Sequence, residues 1–303
     1  MQEFVESIRH HSRLLVRELD VLKGVFQDTG LTYSQCHALF EIDRENTLTT
    51  MEVAESLQLD KSTASRVLSS LQEDGLADMR PGEADRRQKH FQLTEKGKVA
   101  TARNNRLANR QVTDALLLLT AEERQTVLDG LRLYAKALRQ SRQQQAFIIR
   151  PIQEADNPQV ARLIREVMTE FGTVGEGYSI MDPEVDRMYE TYQGRSSFFV
   201  IEQQGAIQGC GGIGPLTGGP ADVCELKKMY FYPSLRGLGF GKRLVDLCLQ
   251  AALEYGYRRC YLETVDRMWQ ANLLYQRAGF ERLSQPMGNT GHSSCEAYYI
   301  REL

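Results

Sequence analysis

The pattern of hydrophobic residues in this 303-residue chain changes near residue 145, and that change limits the possible folds more than any other feature. In the first 145 residues, apolar side chains recur almost entirely at helical spacing. Beyond a polar stretch at 140–145, strand-like segments alternate with helical ones and glycine becomes more frequent. Because the chain is long enough for two domains of ordinary size, we predict one domain at 1–145 and a second at 146–303.

The second half alternates between strands and helices, which predicts a mixed α/β domain. The first half is mainly α-helical, so the predicted fold class is a two-domain α+β protein. Segments with strand character are 147–152, 197–201, 206–213, 224–232, 259–264 and 296–300. Segments with helical character are 157–169, 241–255 and 267–278.

Composition limits the function of the chain without assigning one. The formal net charge is −3, so any surface that binds nucleic acid must be a local basic patch. The six cysteines form no CxxC pair and the five histidines form no ligand cluster with them, which predicts free thiols and no metal site. The N-terminal segment is charged throughout, and the longest aliphatic run, Leu116–Leu119, is far too short to span a bilayer. We therefore expect a soluble cytoplasmic protein without a membrane partner.

Two helices joined by a tight turn are predicted within residues 48–80. Thr49 and Glu52 form a capping box at the start of the first helix, and Asp60 is placed to cap the second. The opposite face of the second helix carries small, hydrogen-bonding and cationic side chains, as a helix in a DNA major groove requires. The alternative is an ordinary solvated face. The apolar residues predicted to turn this helix toward the core are Ala64, Val67, Leu68 and Leu71.

A basic hairpin follows these helices. Strands are predicted at 76–80 and 90–94, and the segment that joins them is placed to reach phosphates or a minor groove. Two helices followed by such a hairpin make a winged helix-turn-helix. The candidate DNA-binding residues are Ser62, Thr63, Ser65, Arg66, Arg86, Arg87 and Lys89.

Residues 1–145 resemble the MarR family of bacterial regulators. The resemblance rests on the LT-x-x-EVA-x-x-L opening, the KSTASRVLSSLQEDGL helix, the wing with Asp85 and Arg87, and the LTEKG that follows. It implies that Arg87 enters the minor groove and that Asp85 orients the wing. It also implies an obligate homodimer that binds double-stranded DNA at a pseudo-palindromic operator, with half-sites about 10 bp apart.

Apolar stripes near both ends of this half fit a dimer built from the first and last helices. The alternative is that these residues pack within one chain, and part of each stripe must do so. The first stripe consists of Ile8, Leu15, Leu19 and Leu22. The second consists of Leu116–Leu119, Val127, Leu128, Leu131 and Leu138.

The stretch LRGLGFGKRL, residues 235–244, has three glycines on alternate positions before a predicted helix. It fails the Walker A pattern because Arg236 stands at the first glycine position, and it fails the dinucleotide fingerprint because residue 242 is lysine. It satisfies R-x-x-G-x-G through Arg236, Gly239 and Gly241. Glycines there let backbone N–H groups surround a pyrophosphate at the helix N-terminus. The alternative is a flexible connector between strand and helix.

Residues 147–303 resemble the GNAT superfamily of acetyl-CoA-dependent acetyltransferases. The resemblance rests on CELKKMYFYPSLRGLGFGKRL followed by YLETVDRMWQANLLYQRAGFERL. It implies that acetyl-CoA is the cosubstrate and that the loop at 236–241 holds its pyrophosphate through backbone N–H groups. It also implies that the preceding strand offers backbone groups to the pantetheine arm. The implied coenzyme-binding residues are Met229, Phe231, Arg236, Gly237, Leu238, Gly239, Phe240, Gly241 and Asn272.

Acetyl transfer to an amine needs a base for the amine and a proton or hydrogen bond for the departing thiolate. Asn272 and Tyr275 lie three residues apart on one helix face, and the resemblance brings the asparagine to the coenzyme arm and the tyrosine near the thioester sulfur. Tyr275 can therefore serve the thiolate, although the residue could be a core aromatic. Glu225, at the beginning of the central strand, is the candidate base; the alternative is a carboxylate that pairs with Lys227 or Lys228.

The site for the acceptor amine is poorly marked. Residues 171–189 have the glycine and aromatic content of a loop over a binding cleft. Tyr178, Glu176 and Asp182 in this loop could meet a small polar amine, or they could be ordinary loop residues. Glu263 is a second and weaker candidate for the base.

Three functions are compatible with the sequence, and the first is our prediction: a bifunctional transcriptional regulator and N-acetyltransferase that acts on a primary amine of a small molecule. The second is a regulator whose GNAT-like domain only senses acetyl-CoA or another ligand. The retained Tyr275 and R-x-x-G-x-G loop disfavour a decayed catalytic site. The third is an enzyme that uses the winged helix only as a dimerisation scaffold. The basic wing argues against this third function, because a scaffold does not need it.

Overall fold

The computed structural model describes residues 1–81 and 89–303. The predicted wing residues Asp85, Arg86 and Arg87 therefore lie outside the described residues. The chain divides into two compact units, Met1–Leu128 and Asp129–Leu303. The predicted domain boundary after residue 145 stays a prediction.

The first unit is mainly helical, as predicted, with a small antiparallel sheet in the strand order β1-β3-β2. Two antiparallel strands, Ala77–Pro81 and Lys89–Leu93, follow a pair of helices closely in sequence, which is the arrangement of a winged helix-turn-helix. The second of these strands also pairs with Leu48–Thr49, a short strand that precedes the two helices. Its elements are α1 (Gln2–Glu18), α2 (Tyr33–Glu45), β1 (Leu48–Thr49), α3 (Thr50–Leu57), α4 (Lys61–Glu73), β2 (Ala77–Pro81), β3 (Lys89–Leu93) and α5 (Glu95–Leu116). Helix α6 (Ala121–Gln144) begins in this unit and ends in the second.

The helix-start signals read from the sequence are confirmed. Thr49 accepts a hydrogen bond from the backbone N–H of Glu52 at 3.3 Å, and the Glu52 carboxylate accepts one from the backbone N–H of Thr49 at 2.6 Å. Asp60 accepts from the backbone N–H of Thr63 at 2.9 Å and caps α4. These bonds satisfy backbone donors that have no partner inside the helix. The core of this unit is formed by Leu39, Ile42, Val53, Ala64, Leu68 and Leu71, all fully buried.

Helices α1 and α6 are largely exposed in the single chain, although a few residues of each, including Gln140 and Gln144, are half-buried. Neither contains a buried residue in the part of the molecule that the structure describes. Leu22, Leu117 and Leu118 are 74%, 69% and 86% exposed, and Leu138 is 53% exposed. Packing within one chain therefore covers part of the two apolar stripes, as the half-buried Ile8, Leu116 and Leu119 show, and leaves the other members exposed.

The second unit is a seven-stranded sheet with helices on both faces. The strand order is β4-β5-β6-β7-β8-β10-β9, and every neighbouring pair is antiparallel except the parallel pair β7–β8. Its strands are β4 (Ile148–Pro151), β5 (Ser197–Gln203), β6 (Ala206–Pro215), β7 (Val223–Phe231), β8 (Arg259–Thr264), β9 (Glu281–Leu283) and β10 (Ala297–Glu302). Its helices are the C-terminal part of α6, α7 (Asn157–Glu170), α8 (Met188–Thr191), α9 (Phe240–Glu254) and α10 (Trp269–Arg277).

Two hydrophobic cores lie on the two faces of this sheet. One joins α7 to Phe198, Val200 and Cys210, and the other joins α9 to Ile201 and Ile213. Neighbouring positions on a strand face opposite sides of a sheet, so Val200 and Ile201 contribute to different cores. The predicted mixed α/β architecture is confirmed.

Strands β7 and β8 separate after a short pairing, and this separation opens the interior of the unit. They pair only at Val223–Glu225 with Arg259–Tyr261 in the described structure, although both strands continue further. Just beyond Glu225, β7 carries a bulge at Lys228, whose φ is +57°. Opposite the bulge, a Cβ on Gly211 would lie 2.2 Å from the sulfur of Met229, so a larger residue there would displace the Met229 side chain.

Within 1–81 and 89–303, none of the helices combines the length and the apolar character that crossing a membrane would demand.

Candidate functional sites

The glycine loop predicted to hold a pyrophosphate connects β7 to α9. Gly237 and Gly239 have φ values of +75° and +87°, in the left-handed region that favours glycine. Gly239 is the N-cap residue of α9, so the first amides of this 15-residue helix follow the loop directly. These amides have no carbonyl partner inside the helix, and the helix dipole places partial positive charge there. The loop therefore has the geometry of an anion cradle.

A cleft of about 1040 Å³ extends from this loop along α10. Lys242, Arg277 and Arg301 also line it and make its rim basic. Phe240 is buried in the core at 1% exposure, so it supports the loop from behind. Predicted residues that line the cleft are Met229, Phe231, Arg236, Gly237, Gly239, Gly241 and Tyr275; Leu238, Phe240 and Asn272 are outside the lining.

The Arg236 side chain braces the loop rather than standing free. Its guanidinium makes two hydrogen bonds to the carboxylate of Glu170, at 2.5 and 2.6 Å. Its Nε donates to the backbone carbonyl of Phe231 at 3.0 Å, and the guanidinium lies 5.0 Å from the ring centroid of Phe171. Arg236 thus fixes the end of β7 and the loop against α7, and a bidentate pair of this kind is geometrically specific.

The Asn272 side chain is engaged at the start of α10. Its Nδ2 donates to the carbonyls of Val265 and Met268, both at 3.0 Å. Its Oδ1 accepts from the hydroxyl of Tyr299 at 2.9 Å. The contact with the coenzyme arm that the resemblance implies stays a prediction, and the observed bonds give Asn272 a structural role in shaping this corner.

The two predicted catalytic residues, Glu225 and Tyr275, line one small cavity of about 70 Å³ beside the cleft. The Glu225 side chain is buried, and burial raises the pKa of its carboxylate above the usual range. Lys227 Nζ lies 3.6 Å from Glu225 Oε2, so the ion pair weighed as an alternative is present together with the cavity position. Burial likewise raises the pKa of Tyr275, which keeps its hydroxyl protonated and able to donate.

A cluster of charged side chains closes the far side of this cavity. Asp182 forms an ion pair with Lys228, whose side chain is fully buried at the bulge. His292 Nε2 lies 3.1 Å from Asp182 Oδ2, and its Nδ1 lies 3.6 Å from Glu263 Oε2. The hydroxyl of Thr290 donates to Glu263 at 2.9 Å. The cluster joins the loop before α8 to the loop before β10 over the cavity.

His292 is a protonated member of this cluster at neutral pH. Burial would lower the pKa of the imidazole, but the carboxylates of Asp182 and Glu263 outweigh it and raise the pKa to about 9. A cation between two carboxylates is an electrostatic clamp, and it is a poor general base. Cys295 also lines the cavity, and burial raises its pKa to about 12, so its thiol stays neutral and weakly nucleophilic.

The loop at 171–189 contributes to the cavity through two of its three candidate residues. Tyr178 lines the cavity, and its hydroxyl accepts a hydrogen bond from Arg267 at 2.9 Å. Asp182 belongs to the charged cluster. Glu176 contributes its backbone carbonyl, which accepts from the Ser294 hydroxyl at 3.2 Å. Sequence reasoning missed His292, and the signal that could have found it is the GNTGHSSC stretch, a glycine-rich loop that contains a histidine and a cysteine.

The polar face predicted on α4 is exposed. Ser62, Ser65 and Arg66 face solvent, and Thr63 is half-buried. The hydroxyls of Ser62 and Thr63 donate to Asp60, which holds the pKa of that carboxyl far below its usual range. Arg66 donates to the Thr63 hydroxyl at 2.9 Å. Lys89 is exposed at the start of β3, whereas Arg86 and Arg87 are outside the described residues.

Comparison with known proteins agrees with both halves of this description. The model of the MarR family matches residues 29–88, and the model of the acetyltransferase (GNAT) family matches residues 159–280. The uncharacterized N-acetyltransferase YjgM of Escherichia coli is 44% identical over 161 residues, which are 52% of this chain and 96% of that protein. The HTH-type transcriptional regulator PetP of Rhodobacter capsulatus is 41% identical over 69 residues, which are 22% of this chain and 42% of that protein.

One solved structure similar to the second unit is an acetyltransferase of the GNAT family from Staphylococcus aureus Mu50. It is 21% identical, the match covers 52% of this chain and 99% of that one, and the TM-score is 0.47. The assignment of the second half rests on the 44% identity to YjgM, which is matched over 96% of its length. The chain therefore belongs to the GNAT family of acetyltransferases over its second half, and its first half contains a segment, 29–88, that matches the model of the MarR family.

Proposed function

We propose that this protein is a bifunctional transcriptional regulator and N-acetyltransferase, which transfers the acetyl group of acetyl-CoA to a primary amine of a small molecule. The observation that carries the proposal is the arrangement of Glu225 and Tyr275 around one cavity at the end of a cleft that begins with a glycine cradle. A proton acceptor, a proton donor and an anion site are the three groups that the reaction needs.

The residues present fit the coenzyme. Gly237 has open space where a Cβ would stand, and the exposed amides of the loop and of the first turn of α9 suit a pyrophosphate. Lys242 and Arg277 add positive charge along the cleft for the remaining phosphate. When bound, acetyl-CoA supplies an activated acetyl thioester. The bulge at Lys228 and the separation of β7 from β8 leave room for an extended arm between the strands.

Glu225 is the proposed base. Its buried carboxylate has a raised pKa, and a base is most effective when its pKa lies near the working pH. Glu225 would take the proton of the incoming ammonium group, either directly or through one water molecule. Tyr275, kept neutral by burial, would donate its hydroxyl proton or a hydrogen bond to the departing sulfur.

The acceptor proposed for this cavity is a small, positively charged amine. The volume of about 70 Å³ admits a narrow group rather than a ring system. Two carboxylates, Glu225 and Glu263, line the cavity and favour an ammonium group electrostatically. Lys227 lies 3.6 Å from Glu225, and protonated His292 lies 3.6 Å from Glu263, so these two cations offset part of the attraction of the glutamates for an ammonium group.

The first unit is proposed to bind operator DNA as a homodimer. Ser65 and Arg66 are exposed on α4, where a major-groove helix would present them. The exposed apolar faces of α1 and α6 are the proposed dimer surface, because each leaves apolar side chains exposed in the single chain. All six cysteines are free thiols, which suits the cytoplasm as the proposed location.

An acetyl-CoA consumption screen tests the enzymatic proposal. The full-length protein is assayed with a panel of small primary amines, amino acids and peptides, and Glu225→Gln is run in parallel. The proposal expects turnover with at least one small cationic amine and a loss of ~100-fold or more in Glu225→Gln at neutral pH. Tight binding of acetyl-CoA without turnover on any amine would instead favour a regulator that senses the coenzyme.

A further inference from the structure

We propose that Gln140 and Gln144 of α6 are part of the coenzyme site. They hold the carbonyls of the glycine loop, so that binding of acetyl-CoA and formation of the last turns of α6 stabilise each other. The inference rests on the proposed coenzyme site and adds two positioning residues and a regulatory link to it.

The contacts are direct and come from one face of the helix. Gln140 Nε2 donates to the carbonyl of Gly237 at 2.7 Å, and Gln144 Nε2 donates to the carbonyl of Leu238 at 2.6 Å. Residues four apart lie above one another on a helix, so the two amides address successive peptide groups of the loop. Gln144 Oε1 also accepts from Arg243 at 2.9 Å, which ties the loop to the first turn of α9.

These bonds determine where the loop amides point. In a trans peptide, the carbonyl of one residue and the N–H of the next point in opposite directions. A Gly237 carbonyl held by Gln140 therefore turns the N–H of Leu238 away from α6, and a Leu238 carbonyl held by Gln144 does the same for the N–H of Gly239. Both amides belong to the loop that is proposed to hold the pyrophosphate.

The loop needs such a constraint because its own backbone is permissive. Gly237 and Gly239 adopt left-handed conformations, and glycine visits many others at similar energy. Without an external hold, the peptide groups between them would rotate and would present carbonyl oxygens to a phosphate part of the time. Orienting them before the ligand arrives removes an ordering cost from binding.

The coupling between acetyl-CoA binding and the stability of the last turns of α6 must be reciprocal. If Gln140 and Gln144 strengthen coenzyme binding, the bound coenzyme stabilises the turns of α6 that carry them by the same factor. The same helix carries Leu131 and Leu138, which belong to the proposed dimer surface. The helix thus offers a route by which acetyl-CoA would influence the regulator.

Affinity for acetyl-CoA, measured by calorimetry on the full-length protein, tests the first half of the proposal. Gln144→Ala and Gln140→Ala should each weaken binding by ~5-fold, and the double variant by more than either single variant. Gln143→Ala is the matched control, because Gln143 is an exposed glutamine of the same helix. Gln144→Met replaces Gln144→Ala if the alanine variant unfolds, because methionine has a side chain of similar length and is a good helix former.

Hydrogen exchange of residues 137–147 tests the second half without relying on activity. In the wild type, acetyl-CoA should slow amide exchange in this segment by several-fold, and the double variant should lose the effect. If the wild type binds acetyl-CoA and both single alanine variants bind it with the same affinity, the inference about the two glutamines is wrong, but the proposed coenzyme site still stands. Absence of acetyl-CoA binding to the wild type would overturn both.

Discussion

Replacement of His292 by glutamine tests whether the charged cluster is a clamp over the cavity. The imidazole side chain is 12% exposed and lies between the carboxylates of Asp182 and Glu263, at 3.1 and 3.6 Å. The other charged groups near it are Lys228, which pairs with Asp182, and the buried carboxylate of Glu225. Glutamine keeps an amide of similar length for hydrogen bonding but carries no charge, so His292→Gln removes the cation alone.

The size and the pH range of the effect follow from the pKa. The cluster raises the pKa of His292 from its ordinary 6.5 to about 9. One pKa unit corresponds to ~1.4 kcal/mol, so the contribution of protonated His292 to the free energy of unfolding is on the order of 3 kcal/mol. Because the pKa in the folded state is raised, this contribution is fully present below pH 6.5 and is lost as the pH rises through about 9.

Urea unfolding at several pH values measures the difference between wild type and His292→Gln. Trp269 is the single tryptophan of the chain and belongs to the second unit, so its fluorescence follows that unit. We expect the variant to be less stable at pH 6 and nearly equal to the wild type at pH 10. His10→Gln, at an exposed position of α1, is the control. Equal stability at pH 6, or a difference that grows with pH, would refute the clamp.

Three further changes probe other parts of the molecule. Tyr275→Phe should lower kcat by ~10-fold or more, measured by steady-state kinetics, with little change in the affinity for acetyl-CoA, measured by calorimetry. Full activity of the variant would show that the hydroxyl has no part in the mechanism. Asp60→Ala removes the cap of α4 and should lower the melting temperature of the first unit by ~4 °C in a calorimetric scan, whereas no change would mean that the cap is dispensable. For Arg66→Ala, the DNA is first selected from a random library with the wild-type protein. The variant should bind this DNA more weakly, and the salt dependence of binding should fall by ~1 phosphate contact. An unchanged gel-shift titration would exclude Arg66 from the interface.

Local signals in the sequence predicted much of the fold. The capping box of Thr49 and Glu52 and the cap at Asp60 depend only on residues three apart, and they are confirmed. The strand at 259–264 was likewise predicted with its observed ends. Such features depend on propensity and spacing within a few residues, which a single sequence displays directly.

The bulge at Lys228 could not be predicted from local signals in the sequence. It depends on the register between β6 and β7, and the glycine that makes room for it, Gly211, is distant in sequence. A run of glycines in a strand indicates a close approach, but it does not say which neighbour approaches. The bulge lies just beyond the residue at which β7 stops pairing with β8.

The charged cluster was also invisible in the sequence, because its members are far apart along the chain. Asp182 and His292 are separated by 110 residues, and Glu263 lies on a different element from both. No periodicity connects such positions, and only the folded sheet brings them together. The contact of Gln140 and Gln144 with the glycine loop has the same character, since the polar stretch at 140–145 suggests a linker when it is considered alone.

The central claim is that the backbone of the glycine loop binds acetyl-CoA, and titration of the full-length protein with acetyl-CoA tests it most directly. Trp269 lines the cleft, so its fluorescence should change on binding, in parallel with the heat measured by calorimetry. We expect one saturable site per chain in the wild type and in Gly130→Val, a control glycine with open space around it. Gly239→Val forces a β-branched residue to a φ of +87° and should weaken binding by more than ~10-fold. Absence of wild-type binding, or wild-type affinity in Gly239→Val, would contradict the account.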